Sequence, residues 1–145
     1  MTENKPKRVW QFVFYPESAP EDWLKRLEKL DVPFACSPVH DRDIKDDYAE
    51  AVVKDDDGNV IGIVSDGGEV LPLPADLYKK PHRHCILSFS GKRKFENVVS
   101  LVSPFGVDYA QPCNDIRACT RYLIHLDHPE KAQYAYEDII FGNGF

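Results

Sequence analysis

HRHCILSF (His82–Phe89) reads as a strand: β-branched, aromatic and other apolar residues with almost no charge after its first three positions. Side chains alternate along a strand, so His82, His84, Ile86 and Ser88 share one face while Arg83, Cys85, Leu87 and Phe89 share the other. The second set is apolar apart from Arg83, and it predicts a face packed against helices, with Arg83 at its exposed end. The first set puts two imidazoles ~7 Å apart on the opposite face, where they can converge on one ion. This stretch therefore predicts a sheet with a covered side and a working side.

Outward from it, the chain supplies the covering elements. RVWQFVFY (Arg8–Tyr15) is a second buried strand, ended by Pro16. In SAPEDWLKRLEKL, Ser18 is a candidate N-cap, Pro20 suits a first turn and Glu21 supplies the capping-box acid. Trp23, Leu24, Leu27 and Leu30 recur at helical spacing. VPFACSPVH (Val32–His40) is a third strand, with Pro33 and Pro38 near its ends. On the far side, FENVVSLVSPFG (Phe95–Gly106) predicts an amphipathic helix and VDYAQP (Val107–Pro112) a short strand. DIRACTRYLIHL is a third helix capped by Asn114 or Asp115, with Ile116, Cys119, Thr120 and Leu123 on its packing face. EKAQYAYEDII ends the chain as a short helix or strand.

Residues 44–78 form an excursion. AVVKDDDGNVIGIV carries two apolar arms around Asp57–Gly58, a hairpin signal, and EVLPLPADLY is a short extended piece. The DDDGN run lacks a glycine and a terminal glutamate at the positions that an EF-hand calcium loop requires, so it is read as a solvated hairpin tip. With 145 residues, 43% hydrophobic and 29% charged, the chain fits one globular domain, 1–145, carrying this excursion. The order β-α-β-(hairpin)-β-α-β-α predicts an α+β fold close to a split βαβ, an antiparallel sheet with helices on one face and the site on the other.

No apolar run approaches the ~20 residues of a membrane-spanning helix, and the N-terminus has no apolar core of a signal peptide. The expected location is cytoplasmic, with no membrane partner. Four cysteines, Cys36, Cys85, Cys113 and Cys119, include no C-x-x-C pair, and a disulfide framework is not expected in such a compartment. Cys36 and Cys85 lie in apolar strand patterns as small buried hydrophobes. The net charge of −6 opposes a nucleic-acid partner unless basic residues are localised. They are: the acids concentrate in Asp41–Asp57 and the C-terminal stretch. The bases cluster at Lys79–Lys80, Arg83, Lys92–Lys94, and Arg117 with Arg121.

His82-Arg83-His84 alone is a weak signal that reads as two surface histidines flanking a strand start, and His40-Asp41-Arg42-Asp43 alone is a polar loop. Together they hold three of the five histidines with two carboxylates, a mixed nitrogen and oxygen donor set for Mn²⁺, Mg²⁺ or Zn²⁺ if the strands are neighbours. Tyr122, flanked by apolar residues, reads by itself as a half-buried core tyrosine.

Four segments in order, YPESAPEDW (Tyr15–Trp23), SPVHDRD (Ser37–Asp43), KKPHRHCILSF (Lys79–Phe89) and RYLIHLDHPEKAQY (Arg121–Tyr134), resemble the plasmid rolling-circle replication initiators of the HUH endonuclease superfamily, Rep_2 type. The resemblance spans nearly the whole chain. It implies a ferredoxin-like endonuclease domain that nicks single-stranded or hairpin origin DNA. It also implies metal ligands at His40, Asp43, His82 and His84, with Mn²⁺ or Mg²⁺ as cofactor, and a nucleophile at Tyr122. Attack by that tyrosine would leave a 5′-phosphotyrosine and a 3′-OH primer. Lys79, Lys80, Arg117 and Arg121 are candidates for holding DNA phosphates. Host replication proteins are implied partners, and family members often oligomerise through a further region. Two departures stand out: Arg83 replaces an apolar residue between the two histidines, and the excursion is longer than the family's usual connection. The other readings are a metal nuclease using activated water, a DNA-binding module with a structural zinc, and a plain interaction domain. A covalent protein–DNA adduct separates the first from a tyrosine nickase; unfolding on chelation marks the second.

Overall fold

The computed structural model describes residues 6–145. The chain divides into two compact units, Met1–His40 with Pro81–Phe145 and, between them in sequence, Asp41–Lys80. In chain order the elements are β1 (Lys7–Phe14), α1 (Trp23–Lys29), β2 (Phe34–Cys36), β3 (Val52–Lys54), β4 (Val60–Val64) and β5 (Val70–Leu71). Then come β6 (Arg83–Arg93), α2 (Phe95–Val102), β7 (Gln111–Pro112), α3 (Ile116–Tyr122) and β8 (Ile140–Gly142). The protein is α+β, with antiparallel sheets.

The first unit is a five-stranded sheet in the order β7-β1-β6-β2-β8, antiparallel at every pairing. In β1, Trp10, Phe12 and Phe14 are buried and alternate with less buried neighbours, the period-two pattern of a strand with one fully covered face. Cys85, Leu87 and Phe89 of β6 lie on that same face. They pack with Leu27 of α1, Val98 and Val102 of α2, and Phe105. Burying this apolar set away from water is the main force holding α1 and α2 to the sheet.

α1 is shorter than its sequence suggests. Ser18 does not cap it; the N–H groups of Ser18 and Ala19 instead donate to the Tyr15 carbonyl in a turn (both 2.9 Å). The helix starts after Asp22, whose carboxylate takes Arg26 (2.8 Å) and not a backbone N–H. Pro20 biases Ala19 away from helical backbone, which opposes a helix beginning directly after Ser18. α2 ends in a short 3-10 turn, Ser103–Phe105, stopped by Gly106 at φ +80°.

α3 departs from the expectation of helices on one face only. Leu123 and Ile124, which follow it, pack with Ala35 and Ile86 on the face opposite α1 and α2, joined by Ile139. Ile86 is therefore buried and the second face is partly roofed. Asp115 caps the helix, accepting from the N–H groups of Arg117 (3.0 Å) and Ala118 (3.2 Å). Ile116, expected on the packing face, is exposed.

A disulfide joins Cys113 to Cys119, with Cα atoms 6.6 Å apart, so the expectation of no disulfide is overturned. The turn between β7 and α3 folds two cysteines six positions apart into bonding range. Cys36 and Cys85 are buried free thiols facing each other across β2 and β6. Burial, and then the Cys36 thiol, push the Cys85 thiol far above its ordinary range.

The second unit is a three-stranded antiparallel sheet, β3-β4-β5. Its first hairpin turns at Gly58, φ +85°, as the Asp57–Gly58 signal predicts. The tip is organised by Asp55, whose carboxylate accepts from the N–H groups of Asp57 (3.0 Å) and Asn59 (2.8 Å). Ile44 pairs with Tyr78 at the unit's root.

Candidate active site

β6 and the bridge residue just before it deliver His84 and His82 to the face opposite the apolar core, as strand alternation requires. His40 reaches them because it pairs with His82: the His40 N–H donates to the His82 carbonyl at 2.7 Å. One ligand nitrogen from each of His40, His82 and His84 can be chosen so that all lie within 4.8 Å of one another. Ring centroids stand 4.8–5.3 Å apart around the trio. Asp43 belongs to the second unit, three residues beyond His40, and its carbonyl accepts the Lys79 N–H (2.7 Å).

The tautomer of His40 is set by its surroundings. Nε2 lies 2.7 Å from the Leu123 carbonyl, which can only accept, so Nε2 carries the proton and Nδ1 keeps its lone pair in the neutral ring. That is the arrangement of a metal-binding imidazole oriented through its other nitrogen. Tyr134 stacks flat on the same ring, with centroids 4.2 Å apart and planes within 1°. Three converging imidazoles, one with its tautomer fixed, suit a divalent cation. Arg83 lies on the other face, as expected: its guanidinium sits 4.9 Å over the Trp23 ring and donates to the Ser37 carbonyl (2.9 Å). Burial lowers its pKa from the ordinary arginine value.

Tyr122, the last residue of α3, comes to the edge of this cluster. Its ring is 5.8 Å from that of His84 and 5.0 Å from that of His125. The Lys131 ammonium donates to the Tyr122 hydroxyl oxygen at 3.0 Å. The chain folds back through His125, which adopts φ +57°, an uncommon backbone for a residue with a side chain. His125 Nδ1–H donates to the Ala132 carbonyl (2.8 Å), pinning the returning segment that carries Lys131 and Tyr134.

A recess of about 730 Å³ opens beside His84 and Tyr122, walled by β1, the 106–111 segment and α3. Of the four basic residues expected to hold phosphates, Arg121 is engaged by Asp127 (2.6 Å), which raises its pKa, and Arg117 is exposed. Lys79 lies 3.6 Å from Asp46, and it and Lys80 belong to the second unit. The sequence reading missed Lys131 and Tyr134. Both lie in the RYLIHLDHPEKAQY run, but only the turn at His125 shows that they face back on Tyr122 and His40. Among the described residues, no helix is long and apolar enough to cross a membrane.

The chain is similar in sequence to known replication proteins. A replication protein of Staphylococcus aureus is 30% identical over 146 residues, covering 99% of this chain and 59% of its own length. A replication protein RepB of Lactiplantibacillus plantarum is 31% identical, covering 97% of this chain and 51% of its own. A RepB of Streptococcus agalactiae is 56% identical over 36 residues, 25% of this chain and 17% of its own. The chain thus spans little more than half the length of the first two. The profile of the origin binding domain of plasmid replication proteins matches residues 2–62 and 73–145, and this chain belongs to that family.

Proposed function

We propose that this domain binds plasmid origin DNA and nicks one strand with Tyr122, as a rolling-circle initiator of the HUH type, Rep_2 class, on a ferredoxin-like split βαβ. The observation that carries the reading is the approach of the Tyr122 ring, with the Lys131 ammonium on its oxygen, to the cluster of His40, His82 and His84. Asp43 completes the proposed donor set; three residues of chain reach at most ~11 Å, so it is tethered close to His40. A divalent cation, Mn²⁺ or Mg²⁺, would be held by these four residues and would supply Lewis acidity to a phosphate oxygen.

The chain's own residues do the rest. The Tyr122 oxygen attacks phosphorus as its proton passes to solvent, and the Lys131 ammonium stabilises the charge that grows on that oxygen. The P–O3′ bond breaks and the 3′ oxygen takes a proton from solvent. A 5′-phosphotyrosine and a 3′-OH remain; the ester keeps the bond energy for rejoining, and the 3′-OH primes synthesis. Arg117 and Arg121, with Lys79 and Lys80, are proposed phosphate contacts, and Arg121 would have to exchange Asp127 for the DNA. The setting is the cytoplasm, with host replication proteins as partners and any oligomerisation assigned to a region outside this chain.

Labelled single-stranded origin DNA incubated with the protein and Mn²⁺, then run on a denaturing gel, tests the reading. A protein band carrying the label, absent for Tyr122→Phe while DNA binding persists, is the expected result. Nicking by Tyr122→Phe at the normal rate would remove Tyr122 as nucleophile. Cleavage without an adduct, once adduct hydrolysis is excluded, would point to activated water.

A further inference from the structure

The recess beside Tyr122 has a composition that the nicking chemistry does not use. Gln11 of β1 and Gln111 of β7 are register partners, so their side chains stand side by side on one face, with Cβ atoms ~5 Å apart. Both line the recess, and neither carboxamide has a hydrogen-bond partner among the described residues. Tyr109 lines it too and is 52% exposed, its ring steadied by Phe95 at 5.8 Å. Asp108 and Asp127 are the carboxylates in the wall, Asp127 being paired with Arg121 (2.6 Å); His84 and His128 are its imidazoles, and no lysine or arginine among the described residues lines it. Away from His84 and Tyr122, a phosphate would find no ammonium or guanidinium in the wall and would be repelled by Asp108. An uncharged, planar, hydrogen-bonding part of the strand would not.

We propose that this recess is a base-reading subsite: Gln11 and Gln111 bind the edge of one unpaired nucleobase, Tyr109 stacks on it, and this fixes the sequence at a nucleotide flanking the scissile phosphate. The assignment rests on the nicking function proposed above for its place in the reaction, but base binding itself does not need that chemistry. Paired carboxamides offer donors and acceptors together, the match for the amino group and ring nitrogen of adenine. Asp108 only accepts, which further favours a base bearing an exocyclic amine. Stacking on an exposed aromatic ring is the common way to hold a base in a single strand. The location follows from register: Val13 pairs with His84, and Gln11 lies two residues along β1 on the same face, ~7 Å away. The recess volume of about 730 Å³ accommodates a nucleotide.

The test is selection from a randomised single-stranded DNA pool by binding to the wild-type protein, Gln111→Leu and Gln11→Leu/Gln111→Leu, followed by sequencing. Thermal melts confirm that the variants are folded. The expected result is enrichment of one amine-bearing base at a single position by about tenfold or more. That enrichment weakens in the single variant and vanishes in the double, while enrichment elsewhere in the motif persists. Enrichment of thymine there, no positional preference in the wild type, or a preference untouched in the double variant overturns the proposal. The same proteins are assayed for adduct formation with Mn²⁺. Glutamine-dependent enrichment without nicking supports the subsite and counts against Tyr122 as nucleophile; nicking without such enrichment does the reverse.

Discussion

Lys131 lies nine positions beyond Tyr122, yet its ammonium donates to the tyrosine oxygen at 3.0 Å. A hydrogen bond from a charged donor is worth about 1.5–3 kcal/mol when it serves a growing negative charge. Lys131→Met is therefore expected to slow single-turnover nicking by about tenfold to a hundredfold at saturating DNA, with Lys131→Arg retaining part of the rate. An unchanged rate in Lys131→Met would leave the contact without a role in the reaction. The histidines were legible because strand periodicity alone puts His82 and His84 on one face. Lys131 was not, because its position depends on the left-handed turn at His125, which no side-chain pattern marks. The Cys113–Cys119 bond was missed for a related reason: an argument from compartment says nothing about how closely a turn brings two cysteines.

Among the elements, α3 matters most because it ends on Tyr122. Its first turn is held by the Asp115 carboxylate. Asp115→Ala should cost about 1 kcal/mol of stability, read as a lower midpoint in urea, and should reduce adduct yield if fraying reaches the tyrosine. A midpoint equal to wild type would show that packing and the disulfide hold the helix without its cap. At the opposite edge of the sheet, Gly142 of β8 lies against the Phe34 ring, where an added Cβ would collide with ring carbons. Gly142→Ala is expected to destabilise by about 1–3 kcal/mol through displacement of Phe34, and a neutral result would mean that β8 shifts freely. The central strands were readable from apolar alternation. α3 was read as a helix, but its side of the sheet was not, since its apolar residues fit either face. β8 is three residues long and carries no periodicity of its own.

At the level of the whole chain, a net charge of −6 sits on a domain whose family binds origin DNA, so the basic groups and any bound cation must act locally. The apolar core built on β1, β6, α1 and α2 contains none of the proposed ligands. Chelation with EDTA is therefore expected to abolish nicking and leave the far-ultraviolet circular dichroism unchanged. Calorimetry should show weakened Mn²⁺ binding in His84→Ala. Unfolding on chelation would instead identify a structural zinc module. The pairing of His40 with His82 has a further consequence. The chain leaves the sheet at one residue and re-enters at its hydrogen-bonded neighbour, so whatever lies between them is spliced in at a single seam. Lengthening such a segment costs the host only loop closure, ~0.6 kcal/mol per doubling. Descendants of this gene can thus gain or trim material beyond Asp43 without shifting the imidazoles, and the Asp57–Gly58 tip is a natural port for grafting a reporter or an affinity handle.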